Sequence, residues 1–255
     1  MSLFSVNIKN THQFFNLLKE DYLYSSAKEL INIYIKKYNP HIVYDSSFKA
    51  DFPSEKNFNQ RFWELYLYFM FCDEDFIIDS DITVPDFSIS KNGINIIVEA
   101  RTLNSPQDYS GISNYINNPD LFVNRIKNSL KKKLKKNYAK NNFSIAFADF
   151  RSEAYVEDEK LIPRSADVSY PKLVEALYGK YKNNISYLEF NNQQDAFFNE
   201  KGADKVDAIF YSRSGTIPKL NRIGKAWGLG DKNYYIKSFQ TYCNKSPKAI
   251  QANLL

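Results

Sequence analysis

Apolar residues recur at helical spacing through the first forty residues, in the segment FFNLLKEDYLYSSAKELINIYIKKY. This pattern predicts helical structure that ends at Asn39-Pro40, because the residue before a proline is disfavoured in a helix. The polar stretch 45–56 predicts a loop, with Ser54 as a candidate cap for the next helix. That helix covers roughly 57–72 and is so rich in aromatic residues that it must be largely buried.

Three strand candidates follow, at 76–79, 82–90 and 94–100. The dipeptide Asn92-Gly93 between the last two is a strong hairpin signal. The last of them, INIIVEA, is apolar over most of its length, which is typical of a strand buried on both faces. A polar loop at 104–118, a helix from about 119 to 138 and a strand at Phe143–Phe150 come next.

The order of helix, three strands, helix and strand predicts an α/β fold in which an antiparallel hairpin leads into a crossover. Farther along, Tyr170–Tyr178 has a helical pattern, and 185–190 and 206–212 have strand patterns. The last forty residues contain turn signals without strong periodicity. Because no linker is evident, we expect a single domain over 1–255, with a central mixed sheet flanked by helices and with N- and C-terminal elaborations.

Composition excludes several classes of protein. The chain has 255 residues, of which 44% are hydrophobic, so it is not a disordered chain. Its two cysteines form no CxxC motif, which argues against a disulfide scaffold and against a zinc site. The N-terminus does not resemble a signal peptide, and the longest apolar run, 62–72, is too short to span a bilayer. We therefore expect a cytoplasmic protein without a membrane partner.

Positive charge is concentrated in one segment. The formal net charge is +5, and the stretch from Arg125 to Lys140 has no acidic residue and eight basic ones, which are Arg125, Lys127, Lys131, Lys132, Lys133, Lys135, Lys136 and Lys140. The remainder of the chain is therefore net acidic. The basic segment is the best candidate for contact with a polyanion, although a solvated helix face would have the same composition.

Three acidic residues stand in apolar surroundings. Glu64 interrupts the aromatic helix in RFWELYLYF, where burial is costly unless the carboxylate is paired or binds a metal. Asp86 follows Pro85 in VPDF, and Glu99 ends the apolar strand in IIVEAR. Each also has an ordinary explanation: an ion pair with Arg61 for Glu64, a turn residue at a strand edge for Asp86, and a strand end paired with Arg101 for Glu99.

Together these acids are more informative. A hairpin centred on Asn92-Gly93 places residues whose numbers sum to about 185 opposite one another, so Asp86 lies across from Glu99. Two carboxylates that close repel each other unless a cation lies between them. Because the ligands are all oxygens, Mg²⁺ is the expected ion, with Mn²⁺ as an alternative. Such an ion can polarise a phosphate and help to deprotonate water.

Asp86, Glu99 and the residue two positions after Glu99 resemble the PD-(D/E)xK pattern of the restriction-endonuclease-like nucleases. The resemblance extends to a bacterial group within that superfamily through the segments RFWELYL, VPDF, IIVEA, NRIKNSLKKKLKK, SIAFADF, EALYG and VDAIFYSRSG, and covers about 57–214. It implies a nuclease-like core there, with Glu64, Asp86 and Glu99 as metal ligands. Its implied activity is metal-dependent phosphodiester hydrolysis, in DNA more than in RNA, in restriction or defence. A homodimer is left open.

One position departs from this pattern, because Arg101 occupies the place where the family has a lysine. An arginine stays protonated and cannot act as a base, but it can stabilise developing negative charge. The resemblance suggests that the lysine comes from the following helix as Lys133, although spacing alone does not choose among Lys131, Lys132 and Lys133. Arg125, Lys127, Lys131, Lys132 and Lys136 are then expected to bind nucleic acid. The alternative is an inactive nuclease-like module that binds nucleic acid or protein.

Overall fold

The computed structural model describes residues 3–5, 10–81, 84–104, 119–138, 142–150, 154–157, 160–163, 170–179, 181–184, 187–190, 196–211 and 216–230. Of the loop predicted at 104–118, Asn104 is the last residue of a strand, and 105–118 lie outside the described residues, as do the basic residue Lys140 and the end of the chain at 231–255.

The described residues form seven α-helices and nine β-strands. The helices are α1 (Gln13–Glu20), α2 (Ser25–Tyr38), α3 (Ser46–Asp51), α4 (Phe58–Asp73), α5 (Pro119–Leu134), α6 (Tyr170–Tyr178) and α7 (Ile217–Ala226). The strands are β1 (Ile77–Ile78), β2 (Phe87–Lys91), β3 (Ile94–Asn104), β4 (Phe143–Phe150), β5 (Ala154–Glu157), β6 (Lys160–Pro163), β7 (Tyr181–Asn184), β8 (Tyr187–Phe190) and β9 (Val206–Tyr211).

Five strands form a mixed sheet in the order β1-β2-β3-β4-β9. The strands β1, β2 and β3 pair antiparallel, whereas β3, β4 and β9 pair parallel. Helix α5 lies between β3 and β4 in the chain, as a crossover between parallel strands requires. The mixed α/β class and the central sheet flanked by helices are therefore confirmed.

The two faces of the sheet bury two separate apolar clusters. Helices α1, α2 and α4 pack on the face that includes Val98 and Ala100 of β3. Helices α5 and α6 pack on the other face, which includes Leu103. This division follows from the alternation of side chains along a strand. None of the helices formed by the described residues is both long enough and apolar enough to cross a bilayer.

The hairpin between β2 and β3 has the predicted turn and register. Asn92 and Gly93 both have positive φ, 53° and 78°, as a two-residue hairpin turn requires. The paired positions run from Phe87–Val98 to Lys91–Ile94, and each pair sums to 185 as expected. However, β3 is not buried on both faces along its whole length, because Ile94 beside the turn is 57% exposed.

The predicted loop at 45–56 is wrong, because it contains α3. The carboxylate of Asp45 caps this helix by accepting the backbone N–H groups of Ser47 and Phe48, and Phe48 anchors it in the core. Ser54 acts one turn before α4, where its hydroxyl accepts the N–H of Asn57 at 3.2 Å. A six-residue helix shows too little periodicity for a pattern to detect.

In the last forty residues, where the sequence showed turn signals without strong periodicity, the structure contains the helix α7. This helix buries Ile217, Leu220 and Gly224 on one face against α2. Gly224 approaches α2 so closely that a Cβ there would lie 2.8 Å from the backbone carbon of Ser26. Ile217, Leu220 and Ile223 recur at the spacing of an amphipathic helix, so the apolar pattern of this segment was sufficient to predict α7.

Candidate active site

Strand β3 continues past the first residue of β2, so one edge of β3 is left there without a paired strand in the described part of the chain. The strand β2 starts at Phe87, later than the predicted residue 82, so its ladder with β3 ends at the Phe87–Val98 pair. The next outward-facing N–H of β3 belongs to Ala100, and it donates to Oδ2 of Asp86 at 2.9 Å. Asp86 therefore lies just before the strand, after the cis Val84–Pro85 peptide, and its side chain continues the ladder.

Glu99 lies on the α5 side of β3, and its side chain is 3% exposed. A buried carboxylate needs partners, and Glu99 has two. The ammonium of Lys133 donates to Oε2, and the hydroxyl of Tyr138 donates to Oε1. The same ammonium lies 3.6 Å from Oδ2 of Asp86. One cation thus contacts both carboxylates that the hairpin register relates.

The orientation of α5 about its own axis determines that Lys133 reaches Glu99 and Asp86. Ile126 and Leu130 are fully buried against the sheet, which turns the stripe containing Ser129 and Lys133 toward β3. Arg101 extends from β3 on the same side, and its Nε donates to Oγ of Ser129 at 2.6 Å. The helix ends at Leu134 rather than near 138, so Tyr138 reaches Glu99 from the segment that follows it.

Glu64 is buried on α4 and faces the same region. Its Oε1 accepts from Nε2 of Gln60 at 2.8 Å, and its Oε2 accepts from Arg61 at 2.8 Å. Gln60 also covers the open edge of β3, since its Oε1 accepts the hydroxyl of Thr102 at 3.0 Å. Glu64 therefore does form the ion pair with Arg61 that would be its ordinary role. Its carboxylate also lines a cleft that it shares with Asp86.

A cleft of about 530 Å³ connects Glu64 with Asp86. Its other walls come from α4, from the turn before α3 and from α3 itself, and its lining residues are His41, Ile42, Asp45, Ser47, Phe48, Arg61, Ser80 and Phe87. Acidic groups outnumber basic ones in this lining. The cleft therefore gives solvent access to Glu64 and Asp86, whereas Glu99 is not part of its lining.

Burial and neighbouring charge both act on Asp86. Burial raises the pKa of this carboxyl to about 6, the ammonium of Lys133 opposes the rise, and the charges of Glu99 and Glu64 add to it. Although 30% of the side chain is exposed at the cleft, protein encloses the remainder. Burial and the bond to Glu99 also raise the pKa of the Tyr138 hydroxyl, so it remains a protonated donor. Burial lowers the pKa of the Arg101 guanidinium.

The donor set fits Mg²⁺ in its chemistry. Asp86, Glu99 and Glu64 supply only oxygen ligands, and their mutual charge repulsion favours a cation. Among the residues that the structure describes, no three His, Cys, Asp or Glu side chains are grouped tightly enough to form a metal cage. Mg²⁺ commonly takes only one or two carboxylates and keeps several waters, so Asp86 and Glu99 would be the ligands and Glu64 an additional one.

The basic residues of α5 do not form one free surface. Lys131 pairs with Glu200, and Lys133 points into the site. Arg125 and Lys127 are half-buried and make interactions of their own, whereas Lys132 and Lys136 are exposed. If this basic segment contacts a polyanion, Lys132 in α5 and Lys136, which follows the end of α5 at Leu134, are the best placed residues of the predicted set.

Two residues at the site, Gln60 and Tyr138, were not predicted from the sequence. Gln60 precedes Glu64 by four residues, so helical spacing could have identified it as a partner. Tyr138 gave no such signal, because it follows the end of α5 and its contact with Glu99 depends on tertiary structure.

Neither a protein-family model, nor a curated protein, nor a solved structure matches this chain. The functional assignment therefore depends on the site itself.

Proposed function

We propose that this protein is a Mg²⁺-dependent nuclease with a restriction-endonuclease-like core, acting on phosphodiester bonds in DNA. The observation that supports this most is the contact of one ammonium, that of Lys133, with both Asp86 and Glu99 at the open edge of the sheet. Two acids and a lysine that converge in this way are the chemical groups of the PD-(D/E)xK pattern, with the lysine supplied by α5 instead of by position 101.

Each group has a distinct proposed role. Asp86 and Glu99 would hold Mg²⁺, with Glu64 as an additional ligand, and the ion supplies Lewis-acid polarisation of a phosphate oxygen and a more acidic water. Lys133 would orient the attacking water or donate to the phosphate as negative charge develops. Arg101 is held by Ser129, so its contribution would be electrostatic.

Cleavage of supercoiled plasmid tests the proposal. Wild-type protein should convert the plasmid to open-circular or linear forms with Mg²⁺ or Mn²⁺ and should not do so with EDTA. Glu99→Gln and Asp86→Asn should each lower the rate at least a hundredfold, whereas Glu74→Gln, an equivalent change at an exposed acid, should have no effect. A parallel assay on RNA separates the two substrates. Activity that survives both active-site changes would contradict the proposal.

A second candidate is an inactive binding module with the same arrangement. It is favoured by the way Lys133 and Tyr138 already satisfy Glu99 without a metal, and by arginine at position 101. Calorimetric titration with Mn²⁺ distinguishes the two candidates, since an inactive module has no need to retain an ion site.

A further inference from the structure

Tyr138 contacts the candidate site from outside the helix that provides Lys133. Its hydroxyl donates to Oε1 of Glu99, while the ammonium of Lys133 donates to Oε2. The two oxygens of one carboxylate are therefore held by two different donors, which come from two different segments. A carboxylate held at both oxygens has a fixed rotation about its terminal torsion, which is otherwise broad.

The phenol ring is itself anchored beside the strand that presents Glu99. It packs edge-on against Phe143, with ring centroids 6.4 Å apart. Phe143 is fully buried, and it is the β4 partner of Ile97, two residues before Glu99 on β3. Tyr138 thus fixes the position of the Glu99 carboxylate relative to the sheet, whereas Lys133 fixes it relative to α5.

The two donors also differ in charge. Lys133 brings one positive charge, which offsets part of the negative charge of Glu99 and Asp86, but Tyr138 contributes a neutral hydroxyl that leaves the charge of Glu99 in place. A neutral donor can therefore orient the carboxylate without competing electrostatically with a cation. Such outer partners of a metal ligand typically change metal affinity or activity by about 10–100-fold when they are removed.

We propose that Tyr138 is a positioning residue that fixes the orientation of Glu99 for binding the divalent ion. This inference rests on the proposed metal-dependent function, but it concerns a residue that the sequence pattern does not include. Tyr138 touches neither the scissile phosphate nor the ion in this role, and it acts only through Glu99.

Tyr138→Phe tests the role because it removes the hydroxyl and keeps the ring. Tyr38→Phe is a matched control, since the hydroxyl of Tyr38 also donates to a carboxylate, that of Asp73, at an exposed position. Mn²⁺ affinity is measured by calorimetry on the intact protein, and cleavage is measured as a function of Mg²⁺ and of DNA concentration. Thermal unfolding in EDTA checks that both variants remain folded.

We expect Tyr138→Phe to weaken Mn²⁺ binding about tenfold and to raise the Mg²⁺ concentration for half-maximal cleavage by a similar factor, with little change in KM for DNA. Tyr38→Phe should change none of these values. Unaltered Mn²⁺ affinity and Mg²⁺ dependence in Tyr138→Phe would overturn the positioning role while leaving the nuclease proposal intact. Mn²⁺ binding by a wild-type protein that cleaves neither DNA nor RNA would overturn the nuclease proposal alone, and wild-type protein that binds no Mn²⁺ would overturn both.

Discussion

Lys133 stabilises two carboxylates that would otherwise repel each other, so removing its charge should be costly when no metal is present. We consider Lys133→Met, which keeps most of the aliphatic stem. The ammonium lies 3.6 Å from Asp86 and closer still to Glu99. At 3.6 Å one such pair has a gross Coulomb energy of about 5 kcal/mol at an effective dielectric constant of about 20.

The net effect on stability should be smaller than this gross energy. Removing one partner of a buried pair typically costs about 3–5 kcal/mol, and Asp86 is partly exposed to the cleft. We therefore expect the free energy of unfolding to fall by about 3 kcal/mol at pH 8 in EDTA. For a chain of this size each kcal/mol corresponds to about 2–4 °C, so Tm should fall by about 6–12 °C.

Mg²⁺ and pH should both modify this loss. Millimolar Mg²⁺ should restore more stability to Lys133→Met than to wild-type protein, because the variant has no ammonium in competition with the ion. Lower pH should also reduce the loss, because without the ammonium the pKa of Asp86 rises further and protonation relieves the repulsion.

The matched control is Lys131→Met on the same helix. Its ion pair with Glu200 is partly exposed and should contribute at most about 1 kcal/mol. Chemical denaturation of the three proteins in EDTA and in Mg²⁺ gives the comparison. If Lys133→Met is as stable in EDTA at pH 8 as Lys131→Met, the reasoning that the ammonium holds the two carboxylates together is wrong.

Three other outcomes are expected. Burial lowers the pKa of His12 to about 4, so this residue should contribute a loss of about 3 kcal/mol in stability as pH drops from 6.5 to below 4, and the difference in unfolding free energy between wild-type protein and His12→Asn should change by that amount over this range. Gly224→Ala should lower the free energy of unfolding by about 1–3 kcal/mol, because the new methyl group meets the backbone of Ser26. If the protein binds duplex DNA, Lys132→Gln with Lys136→Gln should reduce the log–log salt slope by about 1.8, and an unchanged slope would show that neither lysine contacts a phosphate.

The sequence predicts those parts of the fold in which local preference and tertiary structure agree. Asn92-Gly93 favours positive φ at both positions, and the register of the hairpin follows from it. The strand β4 is apolar at six of its eight positions, and its predicted bounds, Phe143–Phe150, are those observed. By contrast, α3 depends on the Asp45 cap and one buried aromatic, which a periodic pattern does not reveal.

The same distinction applies to the candidate site. The sequence left Lys131, Lys132 and Lys133 open on spacing alone, and only the resemblance favoured Lys133, which is the lysine that contacts Glu99. It could not predict Tyr138, whose position depends on where α5 ends and how the chain returns to β4. Asp86 was expected within a strand, but it precedes one, because the ladder stops at Phe87 and leaves the Ala100 N–H for its carboxylate.

The packing of α7 against α2 has a consequence for biosynthesis. The side chain of Asn221 in α7 accepts the backbone N–H of Ala27 in α2, across 194 residues of sequence. At about 5–20 residues per second, the ribosome needs roughly 10–40 s to make the intervening chain. During that interval the face of α2 that packs on α7 has no partner from α7, so this part of the N-terminal core is completed only late in synthesis.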